Sequence, residues 1–177
     1  MQFHEYATEI NDSLSEILQS DVDASIKLIH NAKKVIIIGN GGSAAIASHM
    51  QSDLVKACGI QAMCFYDTPL LTAMSNDYGY SDAYYRQIDL WGNEGDVLIA
   101  ISSSGQSQSI LYSVARAKVL KLDVITLSGF KEDNPLRSKG NVNFYIPSSD
   151  YGYVEMAHSI VCHYITDELQ KVFKSKG

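Results

Sequence analysis

Val35-Ile36-Ile37-Ile38-Gly39-Asn40-Gly41-Gly42-Ser43 and Val97-Leu98-Ile99-Ala100-Ile101-Ser102-Ser103-Ser104-Gly105-Gln106-Ser107 share one grammar, an apolar β-type run that stops in a loop of glycines and small hydroxyl residues. Helical sequence follows both loops, so free backbone N–H groups and the positive end of a helix dipole face whatever lies beyond the strand ends. Such a place receives an anion, and phosphate fits it best. Neither loop carries a lysine or arginine, so a phosphate there is held by amides and hydroxyls, in the manner of a sugar-phosphate site. The G-x-x-x-x-G-K-S/T nucleotide loop is absent, and no nucleotide cofactor is expected. A single glycine turn after a strand is often only a tight connection, and a serine-rich turn can be merely solvated. Two loops of this kind, the second offering four hydroxyls within six residues, favour the binding reading.

Working outward, Phe3, Tyr6, Ile10, Leu14 and Ile17 recur every three or four residues and predict an amphipathic N-terminal helix. Ser20 or Asp21 is the expected cap of a second helix carrying Ile26, Leu28 and Ile29. Strand patterns then fall near 34–39, 61–65, 96–101, 123–127 and 142–146. Helical patterns lie near 44–57, 68–75, 81–91, 108–120 and 131–138, and a long last helix runs from about Tyr153 to Phe173. Strictly alternating strands and helices predict an α/β fold with a doubly wound, flavodoxin-like, five-stranded parallel sheet. Such sheets bind ligands beyond the carboxyl ends of their strands, where both loops lie.

A chain of 177 residues, 46% of them hydrophobic, supplies one full core, so residues 1–177 are expected to form one domain, with N-terminal helices over 1–33 and the α/β core from 34 onward. A net charge of −6 argues against nucleic-acid binding, which needs a basic stripe. The longest apolar runs, 35–38 and 97–101, fall far below the roughly 18–20 residues a bilayer demands, and Met1-Gln2-Phe3-His4-Glu5 lacks a signal-peptide layout. A cytoplasmic protein with no membrane association is expected. The odd set Cys58, Cys64 and Cys162, without C-x-x-C spacing, reads as reduced structural thiols.

Gly39-Asn40-Gly41-Gly42-Ser43-Ala44-Ala45, Ser75-Asn76-Asp77-Tyr78-Gly79-Tyr80 and Gly95 through Ser107, taken in order, resemble the sugar isomerase (SIS) domain. More narrowly they resemble the phosphoheptose isomerases, which interconvert sedoheptulose 7-phosphate and D-glycero-D-manno-heptose 7-phosphate for surface-polysaccharide assembly. The resemblance implies that Asn40, Gly41, Gly42, Ser43, Ser102, Ser103, Ser104 and Ser107 hold phosphate and sugar chain, and that Asp77 and Glu155 touch substrate. It implies that Asp53, where the family has glutamate, is the catalytic base, and that His163 is the general acid. Glu155 stands where the family has glutamine, and Gly152 where an acidic residue is common. Some family members bind zinc, which here implies His49, Asp53, Glu155 and His163 as ligands. The family is commonly a homotetramer with active sites at subunit interfaces.

The chemistry gives its own reasons for these residue types. Moving a proton between C1 and C2 of a sugar through an enediol needs a base and an acid, and a carboxylate and a histidine supply both. His49 and Asp53 share a face at i and i+4, and Glu155, Ser159 and His163 stack on the last helix. His158 is expected to be a packing residue, and His4 and His30 surface residues. The helix faces of Phe3, Tyr6, Ile10 and Leu14, and of Val161, Ile165, Leu169 and Phe173, are more apolar than one small sheet needs, which predicts an oligomer. Two other readings stay open: a noncatalytic SIS-type protein that binds a phosphosugar or a protein, as replication-initiator-associating members do, and an isomerase of another phosphosugar.

Overall fold

The structure, a computed structural model, describes residues 2–174, with side chains as far as 172. Five parallel strands, β1 (Val35–Ile38), β2 (Ala62–Cys64), β3 (Val97–Ser102), β4 (Asp123–Gly129) and β5 (Val142–Ile146), form one sheet in the order β2-β1-β3-β4-β5. Seven helices accompany them: α1 (Phe3–Ser13), α2 (Gln19–Asn31), α3 (Gly42–Cys58), α4 (Thr68–Tyr78), α5 (Ala83–Trp91), α6 (Gln108–Val119) and α7 (Tyr151–Lys174).

The strands carry apolar side chains on both faces because both faces are covered. Val35, Ile37, Val97, Ile99, Ile101, Ile125 and Leu127 pack with α2, α3 and α7, while Ile36, Ile38, Leu98, Ala100 and Val124 pack with α5 and α6. Each of the valine, leucine and isoleucine side chains among them, fully enclosed, contributes about 1.5–3 kcal/mol by leaving water. That two-sided demand turns β1 and β3 into unbroken Val/Ile/Leu/Ala runs. The chain runs outward from β1 to β2 and then crosses to β3, so the loops after β1 and β3 diverge at the switch point of the sheet.

Several expectations are corrected. The segment 131–138 is a run of turns, not a helix. Asn134 explains it: its amide donates to the carbonyls of Gly129 and Lys131 (3.1 and 2.8 Å), and its carbonyl accepts from the Arg137 N–H (3.0 Å), which satisfies the backbone locally. The α2 helix begins at Gln19, so its cap position is Leu18, two residues before Ser20 and three before Asp21, and Leu18 makes no side-chain cap. The α1 helix stops at Ser13, so Leu14 and Ile17 pack on the core from the connection that follows. Val161, Ile165 and Leu169 are no surplus face: they are 4, 2 and 0% exposed in the core. Phe173, counted with them, lies outside the residues whose side chains are described. The uncovered stripe of α7 is Met156, Ile160 and Tyr164. His30 is half-buried, whereas His4 is exposed as expected. Cys58, Cys64 and Cys162 are free thiols, and burial raises all three, to about 12 for Cys64 and Cys162, so they stay protonated and inert. Among the described residues no helix is long and apolar enough to cross a membrane.

Candidate functional site

The loops after β1 and β3 meet α7 around a small pocket of about 70 Å³ lined by Asn40, Ser43, Ile101, Ser102, Ser103, Ser104, Ser107, Tyr151 and Glu155. Ser43 sits in the first turn of α3, and Ser107 precedes α6, so the amides of two helix starts border the same space. The Ser102 hydroxyl donates to Ser107 Oγ (3.3 Å), and Ser104 Oγ accepts from the Gln106 N–H (3.3 Å). Ser103 is 5% exposed, and its Oγ has no hydrogen-bond partner among the described residues. A buried hydroxyl without a partner costs free energy, and at a pocket wall it points to a ligand that completes it. Gly105, at φ +63°, turns the loop back where a side chain would strike Asn134.

Three tyrosines with no assigned role in the sequence hold the first loop. Tyr66 accepts from the Gly39 N–H (2.8 Å) and donates to its carbonyl (3.1 Å), which Tyr84 also reaches (3.0 Å). Tyr80 donates to Asn40 Oδ1 (2.6 Å), while Asn40 Nδ2 donates to Ser109 Oγ (3.0 Å). The Asn40 amide is thus fixed in orientation, with one N–H to spare for the pocket. Burial pushes the Tyr66 and Tyr84 hydroxyls well above their ordinary range, which keeps them protonated donors. The tyrosine contacts span 27 to 45 residues, beyond any local pattern, though Tyr80 ends the Ser75–Tyr80 motif and could have been flagged by it.

Further along α3 and α7, the expected acid–base residues come together. Asp53 Oδ2 lies 3.4 Å from His49 Nε2 and 3.6 Å from His163 Nδ1, and the two imidazole rings meet edge to face at 4.7 Å. The donor atoms of the three residues all lie within 4.8 Å of one another. Ser159 and Cys162 flank them.

Asp77 lies outside both groups, and Glu155 lines the pocket but is not part of the His49–Asp53–His163 cluster. Its backbone is about 12 Å from that of His163 along the helix, eight residues before it. It packs instead on Gly42, where a Cβ would collide with its carboxyl group. Asp77 is exposed near the end of α4, accepting from the Asn76 amide (2.9 Å), and does not line the pocket. His158, expected to be a packing residue, is fully buried with Nε2 3.2 Å from the Ser128 carbonyl, and burial lowers its pKa to about 4.

With this geometry in view, the chain can be compared with known proteins. The family model of the SIS domain matches residues 2–129. The phosphoheptose isomerase of Helicobacter pylori strain P12 is 33% identical over 172 residues, spanning 94% of this chain and 89% of the relative. Among solved structures, a phosphoheptose isomerase from Francisella tularensis superposes with a TM-score of 0.86 at 26% identity, covering 96% of this chain and 95% of that one. The phosphoheptose isomerase of Neisseria gonorrhoeae gives 0.84 at 27% identity, covering 95% and 96%. The chain belongs to the SIS-domain family and, within it, to the phosphoheptose isomerases.

Proposed function

We propose that this protein is an aldose–ketose isomerase that converts sedoheptulose 7-phosphate to D-glycero-D-manno-heptose 7-phosphate through an enediol. The observation that carries the chemistry is the placement of the Asp53 carboxylate between two imidazoles, on the same helix pair as a hydroxyl-lined pocket. The pocket takes the phosphate through Asn40, Ser43, Ser102, Ser103, Ser104 and Ser107, with backbone amides at Gly41 and Gly42. The roughly 12 Å from Glu155 to His163 is the scale of an extended seven-carbon phosphosugar, so anchoring at one end brings the carbonyl end to the other. There Asp53 removes the proton from C1 of the ketose, and His163 protonates the carbonyl oxygen as the enediol forms. The same two groups, with roles exchanged, return a proton to C2 and collapse the enediol to the aldose. Asp77 would reach substrate only through movement of α4 or from a neighbouring subunit.

Two imidazoles and a carboxylate so close together suit a divalent ion such as zinc, which leaves an open position when three protein groups bind it. Bound there by His49, Asp53 and His163, it would supply polarisation of the substrate carbonyl. We place the activity in the cytoplasm, in heptose supply for surface polysaccharide, and in a homotetramer. Supporting the assembly, Met156, Ile160 and Tyr164 form an exposed apolar stripe on α7 next to the row of Glu155, Ser159 and His163. A second copy laid on that stripe would close the site.

The test is turnover of sedoheptulose 7-phosphate by the purified protein with and without added zinc, the product being identified by NMR. The heptose 7-phosphate aldose is the expected product. Absence of turnover under both conditions would sink the proposal and favour a binding protein or another phosphosugar.

A further inference from the structure

Glu155 is half-buried and has no hydrogen-bond or ion-pair partner among the described residues. Its carboxyl group fills the space beside Gly42, the first residue of α3, where the positive end of the helix dipole attracts an anion. It also lines the pocket whose serines are proposed to take the substrate's phosphate, and no lysine or arginine lines that pocket to offset it. Ser103, 5% exposed and with an unpartnered hydroxyl, lines the same pocket. A carboxylate and a phosphate therefore compete for one helix start, and at close range like charges repel.

We propose that Glu155 determines which anions the pocket admits: its carboxylate rests at the start of α3 as an internal anion and holds off free phosphate, so a phosphosugar binds only by drawing affinity from its sugar chain as well. The inference rests on the phosphate reading of the pocket. It follows that inorganic phosphate is a poor inhibitor of the protein, and that removing the charge of Glu155 while keeping its shape makes it a good one.

The experiment is calorimetric titration of inorganic phosphate into the full-length wild-type protein, Glu155→Gln, Glu155→Ala and the double variant Glu155→Gln/Ser103→Ala, at low and high salt, with thermal melts confirming that each is folded. Both single variants are expected to bind phosphate on the order of tenfold more tightly than the wild type, the gain shrinking as salt screens the repulsion. The double variant is expected to lose much of that gain. Equal or weaker phosphate binding by Glu155→Gln and Glu155→Ala, with binding still sensitive to Ser103, would overturn the role of Glu155 and leave the phosphate pocket standing. Absence of phosphate binding in every variant would overturn both.

Discussion

Ser43, Ser102 and Ser103, at one end of the α3–α7 pair, are 3, 5 and 5% exposed, whereas His49 and His163, further along the same two helices, leave 60 and 48% of their side chains open. Apart from the Glu155 carboxylate, the pocket end is made of neutral hydroxyls and amides, built into the sheet and its loops where tyrosines hold the neighbouring backbone. The end to which proton transfer is proposed is made of ionisable groups, whose burial without partners would cost several kcal/mol each. It therefore sits at the surface of one chain, beside the bare stripe of Met156, Ile160 and Tyr164. The pocket is enclosed by the fold, whereas the His49–Asp53–His163 cluster is left open.

The comparison is broken most directly by Asp53→Ala and His163→Ala. Each is expected to lower kcat by on the order of 10²–10⁴-fold, as loss of a general base or acid does, while leaving inorganic phosphate affinity as it was. Steady-state kinetics beside phosphate titration check this, and a parallel loss of phosphate binding would merge the two regions into one. At the buried end, His158 is neutral in the fold, with its pKa pushed by burial from the ordinary 6.5 to about 4. Because the unfolded chain takes up that proton first, stability is full above pH 6.5 and declines as pH falls toward 4. The decline attributable to this group reaches up to about 3 kcal/mol at the acid end. His158→Gln should flatten this part of the pH dependence of Tm.

A backbone change ranks next. Gly105→Ala places a Cβ at φ +63° against Asn134, and denaturant titration should show about 1–3 kcal/mol of lost stability. The smallest effect expected is that of Tyr80→Phe, which removes the hydrogen bond orienting Asn40. A loss of about 1 kcal/mol should raise KM several-fold with kcat held, and a fall in kcat alone would place Tyr80 with the chemistry instead.

The unbroken runs at 35–38 and 97–101 announced the parallel sheet, since only strands buried on both faces can be apolar throughout, and the five strands lie where the alternation put them. Local pattern failed where a side chain replaced the helix ladder, as Asn134 does in 131–138. It failed again on α7, where periodicity marks two apolar faces without telling which one meets the sheet. In the site, the i, i+4 spacing of His49 and Asp53 was legible along one helix, and the meeting with His163 came from the family likeness. Nothing local separates Glu155 from His163, because both project from the same face of α7 and only the packing of Gly42 shows which end of α3 each one meets. The tyrosine grip on Gly39 and Asn40 joins distant parts of the chain and has no local signature.

The central claim is proton transfer by Asp53 at one end of a substrate anchored at the other, and solvent-deuterium incorporation during turnover of sedoheptulose 7-phosphate in heavy water tests it most directly. The account predicts deuterium at C2 of the aldose formed by the wild type, and no exchange above background with Asp53→Ala. Exchange, or turnover, that survives Asp53→Ala unchanged would contradict it.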